Sequence, residues 1–137
     1  MLINFHAEDS SPPPLDTASI AHWLEDIAAN EGLEIDEINY VFCSDEHLLS
    51  INRQYLHHDY YTDIITFDYS EDVILAGDIY ISLDRVRENA STFKDTFERE
   101  LHRVMVHGLL HLMGYQDKSD EEAKEMRSKE NLALSLL

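Results

Sequence analysis

The chain predicts an α+β fold: a single small mixed sheet of about four strands with helices packed on it. Two observations carry this. Short strand-like runs at 2–6, 38–43, 64–69 and 77–82 are interleaved with longer segments of helical period. An apolar fraction of 44% in 137 residues is enough for one core, so residues 1–137 read as a single domain.

The elements follow in order. Residues 2–6 alternate apolar and polar, as an edge strand does, and Ser10-Ser11-Pro12-Pro13-Pro14 is a rigid extended linker. From Asp16 to Asn30 the residues Ile20, Trp23, Leu24, Ile27 and Ala28 recur at helical spacing, and Gly32 is a natural stop. Ile38–Cys43 reads as a strand. Ser44 then caps a helix with Asp45 and Glu46 in its first turn, carrying Leu48, Leu49, Ile51, Asn52 and Tyr55.

His57–Asp63 is a polar-aromatic loop. Ile64–Tyr69 and Gly77–Ser82 are strands joined by a hairpin-like stretch that includes Asp72 and Ala76. A helix starts at Leu83 and ends between Asn89 and Phe93. Another spans Thr96 to Met113, with Phe97, Leu101, Val104, Met105 and Leu112 facing the sheet. Ser119 and Glu122 form a capping box that opens a last amphipathic helix to about Leu136.

Composition narrows the function. Ten Lys plus Arg against 28 Asp plus Glu give a net charge of −18, which as a whole repels a polyanion. Any nucleic-acid contact must therefore use a local basic patch or a partner protein. No apolar run reaches membrane-spanning length, and the start Met1–His6 lacks the basic and apolar regions of a signal peptide. The single cysteine, Cys43, suits a reducing compartment and reads as a buried, unreactive thiol. The expected location is cytoplasmic, with no membrane partner.

The segment His107–Asp117 carries the chemistry. His107 and His111 are four residues apart on one helical face, so both imidazoles can reach one ion. Gly114 can turn the chain back in a left-handed conformation and bring Asp117 round as a third ligand. Three protein ligands with an open position suit a catalytic zinc site, one Zn2+ per chain, on a zincin-like metal helix. Leu110, Leu112 and Met113 are the expected apolar shell. The glutamate that follows the first histidine in peptidases of the zincin kind is replaced by Gly108, which turns the reading away from proteolysis.

His107-Gly108-x-Leu110-His111-Leu112-x-Gly114-Tyr115, preceded by Thr62-Asp63-Ile64-Ile65-Thr66-Phe67 and Gly77-Asp78-Ile79-x-Ile81-Ser82, resembles the YbeY family of rRNA-maturation endoribonucleases. The likeness runs from about residue 36 to 130 in the same order. It implies a single-domain α+β fold and zinc held by three side chains. It further implies single-strand-specific RNA cleavage in small-subunit ribosomal RNA 3′-end maturation and ribosome quality control. The partners implied are ribosomal RNA and the small ribosomal subunit or its assembly factors.

Two positions depart from the family pattern. Asp117 stands where the third ligand is commonly histidine, and Leu56 where an arginine commonly follows the helix aromatic. His57 and His58, with Arg53 nearby, are the residues able to take over part of that arginine's role. Thr62 and Asp63 read either as turn formers or, by the resemblance, as groups at the mouth of the metal cleft. The catalytic candidates are thus His57, His58 and Asp63. Asp78 is expected as a bulge or as a residue orienting a ligand histidine, His102 as solvated, and Tyr115 as a cover on the apolar side of the metal. Two other readings stay open: a ribosome-assembly factor with a structural metal, and a metal-dependent hydrolase of a small molecule or peptide.

Overall fold

A computed structural model describes residues 2–137. Its elements are β1 (Leu2–Ala7), α1 (Thr17–Asn30), β2 (Glu34–Cys43), α2 (Asp45–Leu56), β3 (Ile64–Asp68), β4 (Ile74–Ser82), α3 (Leu83–Thr92), α4 (Phe97–Leu112) and α5 (Asp120–Ser135). The four strands lie in the order β1-β2-β4-β3. β1 runs parallel to β2 and β2 parallel to β4, while β3 closes the sheet antiparallel to β4. The α+β architecture with a small mixed sheet is therefore the one the sequence predicts.

Helix starts are set locally. Asp16, Ser44, Ser82, Thr96 and Ser119 each accept a backbone N–H of the first turn, and Ser119 with Glu122 completes the capping box. The main core lies on one face of the sheet. There Ile20, Trp23, Leu24, Ile27 and Ala28 of α1 join Ile38, Tyr40 and Phe42 of β2 and Leu101, Met105 and Leu109 of α4. Tyr40 Oη donates to the Met105 carbonyl at 2.8 Å, and Trp23 Nε1 to the Ala133 carbonyl at 2.9 Å. On the other face Leu48 and Ile51 of α2 pack against Cys43 and Ile65. Covered on both sides, Tyr40–Cys43 is buried throughout, which explains its unbroken apolar run.

Several expectations change. β2 begins at Glu34 and β4 at Ile74, earlier than apolar alternation shows: the start of β2 carries Glu34, Asp36 and Glu37, and the two strands pair there across a register shift at Ile35/Glu37. Tyr55 is 60% exposed, its ring meeting Phe67 of the edge strand edge-on at 5.9 Å. Phe97 is half-buried, with the Arg87 guanidinium 5.2 Å over its ring. His102 is not solvated: it is 8% exposed, edge-on to Trp23 at 6.0 Å, and burial pushes its pKa down. Cys43, by contrast, is the buried and unreactive thiol expected, pushed up to about 12 by burial and by nearby carboxylates.

α4 lies close against the strands at Gly108. A Cβ there would stand 2.9 Å from Ile79 Cγ2 and 3.0 Å from Ile64 Cδ1. The residue after the first histidine thus faces the sheet, and no glutamate could occupy it with this packing. Gly108→Ala should gain about 1 kcal/mol of helix propensity and lose about 1–3 kcal/mol to overpacking. The expected outcome is a lower urea midpoint; a variant as stable as the parent would show that α4 can shift outward freely.

Candidate metal centre

α4 ends where its chemistry begins. Met113 and Gly114 close the last turn, and Gly114 at φ 102° reverses the chain so that the Tyr115 N–H donates to the Leu110 carbonyl at 3.0 Å. The reversal brings Asp117 back over the helix end. The Nε2 atoms of His107 and His111 are 3.0 Å apart, and Asp117 Oδ2 is 3.3 Å from each. The three residues predicted from sequence therefore converge, with one donor atom each inside a span of 4.8 Å.

The second nitrogen of each ring is also held. His107 Nδ1 bonds Glu130 Oε2 at 2.6 Å, and His111 Nδ1 bonds the Tyr115 carbonyl at 3.0 Å. Both partners are acceptors, so each Nδ1 donates and each neutral ring turns its Nε2 lone pair toward Asp117. Three acceptors facing one another are satisfied by a cation. The donor triangle, with edges of 3.0, 3.3 and 3.3 Å, is near the roughly 3.3–3.4 Å edge of a tetrahedron built on zinc bonds of about 2.0–2.1 Å. The donor set of two imidazoles and a carboxylate fits such an ion.

Glu130, on α5, is the residue that sequence reading missed. It is 5% exposed and also accepts from Arg103 Nη1 at 3.0 Å. Burial pushes its carboxyl up, but the hydrogen bond and charge of His107, then Arg103, hold it below the usual carboxylate range. Burial likewise lowers His107, yet the Glu130 hydrogen bond and charge outweigh it and raise the imidazole above its ordinary 6.5. The signal lay in a charged residue at an apolar position of the last helix, between Met126 and Ala133–Leu134.

The centre opens on a groove of about 600 Å³ whose lining includes Leu56, His58, Asp63, Ile64, Ile65 and Lys118. His58 stacks on Tyr60, its Nδ1 3.0 Å from the tyrosine hydroxyl, and Asn52 Nδ2 pins that loop by donating to the Tyr60 carbonyl at 2.9 Å. Asp63 has its carbonyl bonded by the Ser82 N–H at 3.0 Å and Oδ2 by Asn89 Nδ2 at 3.4 Å; burial raises its carboxyl, against a smaller opposing effect of His107. His57 is the left-handed cap of α2, exposed and outside the groove lining. Arg53 is paired with Asp59 in solvent. A larger depression of about 810 Å³ lies against α1, lined by His22, Trp23, Asp26 and Leu136, and includes neither His107 nor His111.

Three supporting roles belong elsewhere than expected. Asp78 does not orient a histidine: strand alternation sends it to the face opposite α4, where Asn4 Nδ2 donates to Asn39 Oδ1 at 2.9 Å and Asn39 Nδ2 to Asp78 Oδ1 at 3.0 Å. The Tyr115 ring turns away, its hydroxyl donating to Glu31 Oε1 at 2.6 Å, and its carbonyl serves the site instead. Leu110 faces Ile27 and Ala133, so the apolar wall comes from Leu56, Ile64 and Ile65.

Fold and site together define an α+β protein with a metal-capable His-His-Asp centre at the floor of an open groove. The sequence profile of the family described as "Endoribonuclease YbeY" matches residues 4–137, and the chain belongs to the YbeY family. A Parabacteroides distasonis protein named Endoribonuclease YbeY is 48% identical over 137 residues, all of this chain and 96% of that one. One of the same name from Cytophaga hutchinsonii is 53% identical over 135 residues, 98% of this chain and 94% of that one. A Thermotoga maritima protein known from a solution structure matches with a TM-score of 0.68 at 30% identity, over 97% of this chain and 87% of that one.

Glu130→Ala should weaken metal binding about 10–100-fold by freeing the His107 ring, read by competition with a chromophoric chelator. Binding requires the neutral imidazole, so protons displace metal as pH falls through the raised His107 value. Glu130→Gln keeps an acceptor and removes the charge, which lowers the His107 pKa. The pH at which metal is lost should therefore move down, and a curve unchanged from the parent would show that Glu130 does not set it.

Proposed function

We propose that this chain is a zinc-dependent, single-strand-specific endoribonuclease acting in small-subunit ribosomal RNA 3′-end maturation and ribosome quality control. The single observation that carries the reading is the meeting of His107 Nε2, His111 Nε2 and Asp117 Oδ2 on the floor of an open groove. Membership in a family whose relatives are named endoribonucleases supplies the substrate class. The working unit is residues 1–137 as one domain, in the cytoplasm, with the small ribosomal subunit or its assembly factors as partners. No described helix is long and apolar enough to cross a membrane.

His107, His111 and Asp117 hold the ion, one per chain. Bound there, zinc supplies Lewis acidity toward a phosphoryl oxygen and an attacking water. The protein supplies the rest. Glu130 and the Tyr115 carbonyl keep both rings in the tautomer that offers Nε2. Since Gly108 faces the sheet, the proton acceptor lies across the groove at Asp63. Its Oδ2 accepts from Asn89 Nδ2, and burial raises its carboxyl above the usual carboxylate value. His58, held by Tyr60, lines the groove where it can contact the strand, whereas His57 caps α2. The donors open to the groove, with side-chain exposures of 21%, 24% and 39%, which favours a catalytic over an enclosed structural ion.

His111→Ala should abolish metal binding and cleavage of a single-stranded RNA together. Retained metal would break the ligand assignment, and a clean parent protein that binds no metal and cuts no RNA would remove the function. Asp117→His replaces a charged ligand by a neutral one, so the ion becomes more Lewis-acidic. The alkaline shift of the cleavage rate should then begin at lower pH, measured as the pH–rate profile of the two proteins.

A further inference from the structure

We propose that a second depression, on the far side of His107, is a nucleotide subsite in which Phe93 stacks on a base and Arg127 contacts a phosphate of the strand leaving the metal centre. This rests on the RNA-cleavage reading above. The depression holds about 300 Å³ among residues of α3, α4 and α5. Asp63, His107 and Asp117 line both it and the groove, so a strand drawn across the centre passes from one into the other.

Its chemistry suits a single-stranded nucleotide. Phe93, at the end of α3, is 60% exposed, and an exposed aromatic beside a cation is a platform for a base of any identity. The cations of this acidic chain are mostly committed: Arg53 to Asp59, Arg85 to Asp45, Arg99 to Asp95. Arg127 is different. It is 55% exposed, and its carboxylate neighbour Glu130, at 3.7 Å, is already held by Arg103 at 3.0 Å and His107 at 2.6 Å. Its charge is free to meet a phosphate. Asp63, Glu100, Asp117 and Glu130 also line the depression, where Glu130 is paired with Arg103 and His107. With Lys118 in the groove, basic groups flank the centre on both sides, and this is how a chain of net charge −18 can hold RNA.

The test is fluorescence anisotropy of a short, labelled 2′-O-methyl single-stranded RNA on zinc-loaded protein across a range of salt, with metal content measured for each variant. Arg127→Ala should weaken binding and flatten the slope of log K against log salt by about 0.7, the contribution of one phosphate contact. Phe93→Ala should weaken binding roughly ten-fold with the slope unchanged. Arg99→Ala, on another surface, should match the parent. Parent-like affinity and slope in Arg127→Ala, or parent-like affinity in Phe93→Ala, would overturn the subsite, as would loss of metal from either. A parent protein that neither binds nor cuts RNA would instead overturn the cleavage reading.

Discussion

The hydrogen bond between His107 and Glu130 is the interaction around which the candidate metal centre is built. A carboxylate this far from solvent is tolerated only when paired, since an unpartnered one costs several kcal/mol. Glu130 meets the condition with Arg103 and His107, both on α4, so the pairing also holds α5 against the helix that carries the histidines. One carboxylate thereby does two things. It docks the last helix, and it selects the tautomer in which His107 presents a lone pair to a cation.

The backbone does the corresponding work for His111. Because Gly114 takes a left-handed conformation, the chain folds back and sets the Tyr115 carbonyl against Nδ1 two residues before Asp117 arrives at Nε2. A side chain with a Cβ is strained at that φ, so the same glycine underlies both the third donor and the orientation of the second. Core packing then decides where the remaining chemistry can sit. Gly108 lets α4 approach Ile64 and Ile79, which closes the helix's own face to a base, while Asp63 lines the groove from another element.

Much of this was legible from residues 2–137 read as sequence. Helix limits follow from side chains that satisfy neighbouring N–H groups, and such local signals do not depend on the rest of the chain: Asp16, Ser44, Thr96 and Ser119 mark true starts. The His107–His111–Asp117 set was equally readable, because helical period and a glycine turn place all three within eleven residues. Readings that needed a neighbour's position went astray. His102 has the look of a surface residue and lies under Trp23; Asp78 belongs to a ladder with Asn39 rather than to the site.

The sequence by itself determined the α+β class, the order of its elements and the three residues that converge at the end of α4, since periodicity, capping and turn chemistry act over short spans. Only the tertiary structure decided that Glu130 stands behind His107, that Asp63 shares both depressions with His107, and that Gly108 is required by the sheet. Those relations join residues 23, 44 and 29 positions apart. Contacts at such separation are set by how helices and sheet pack, and no local pattern encodes them.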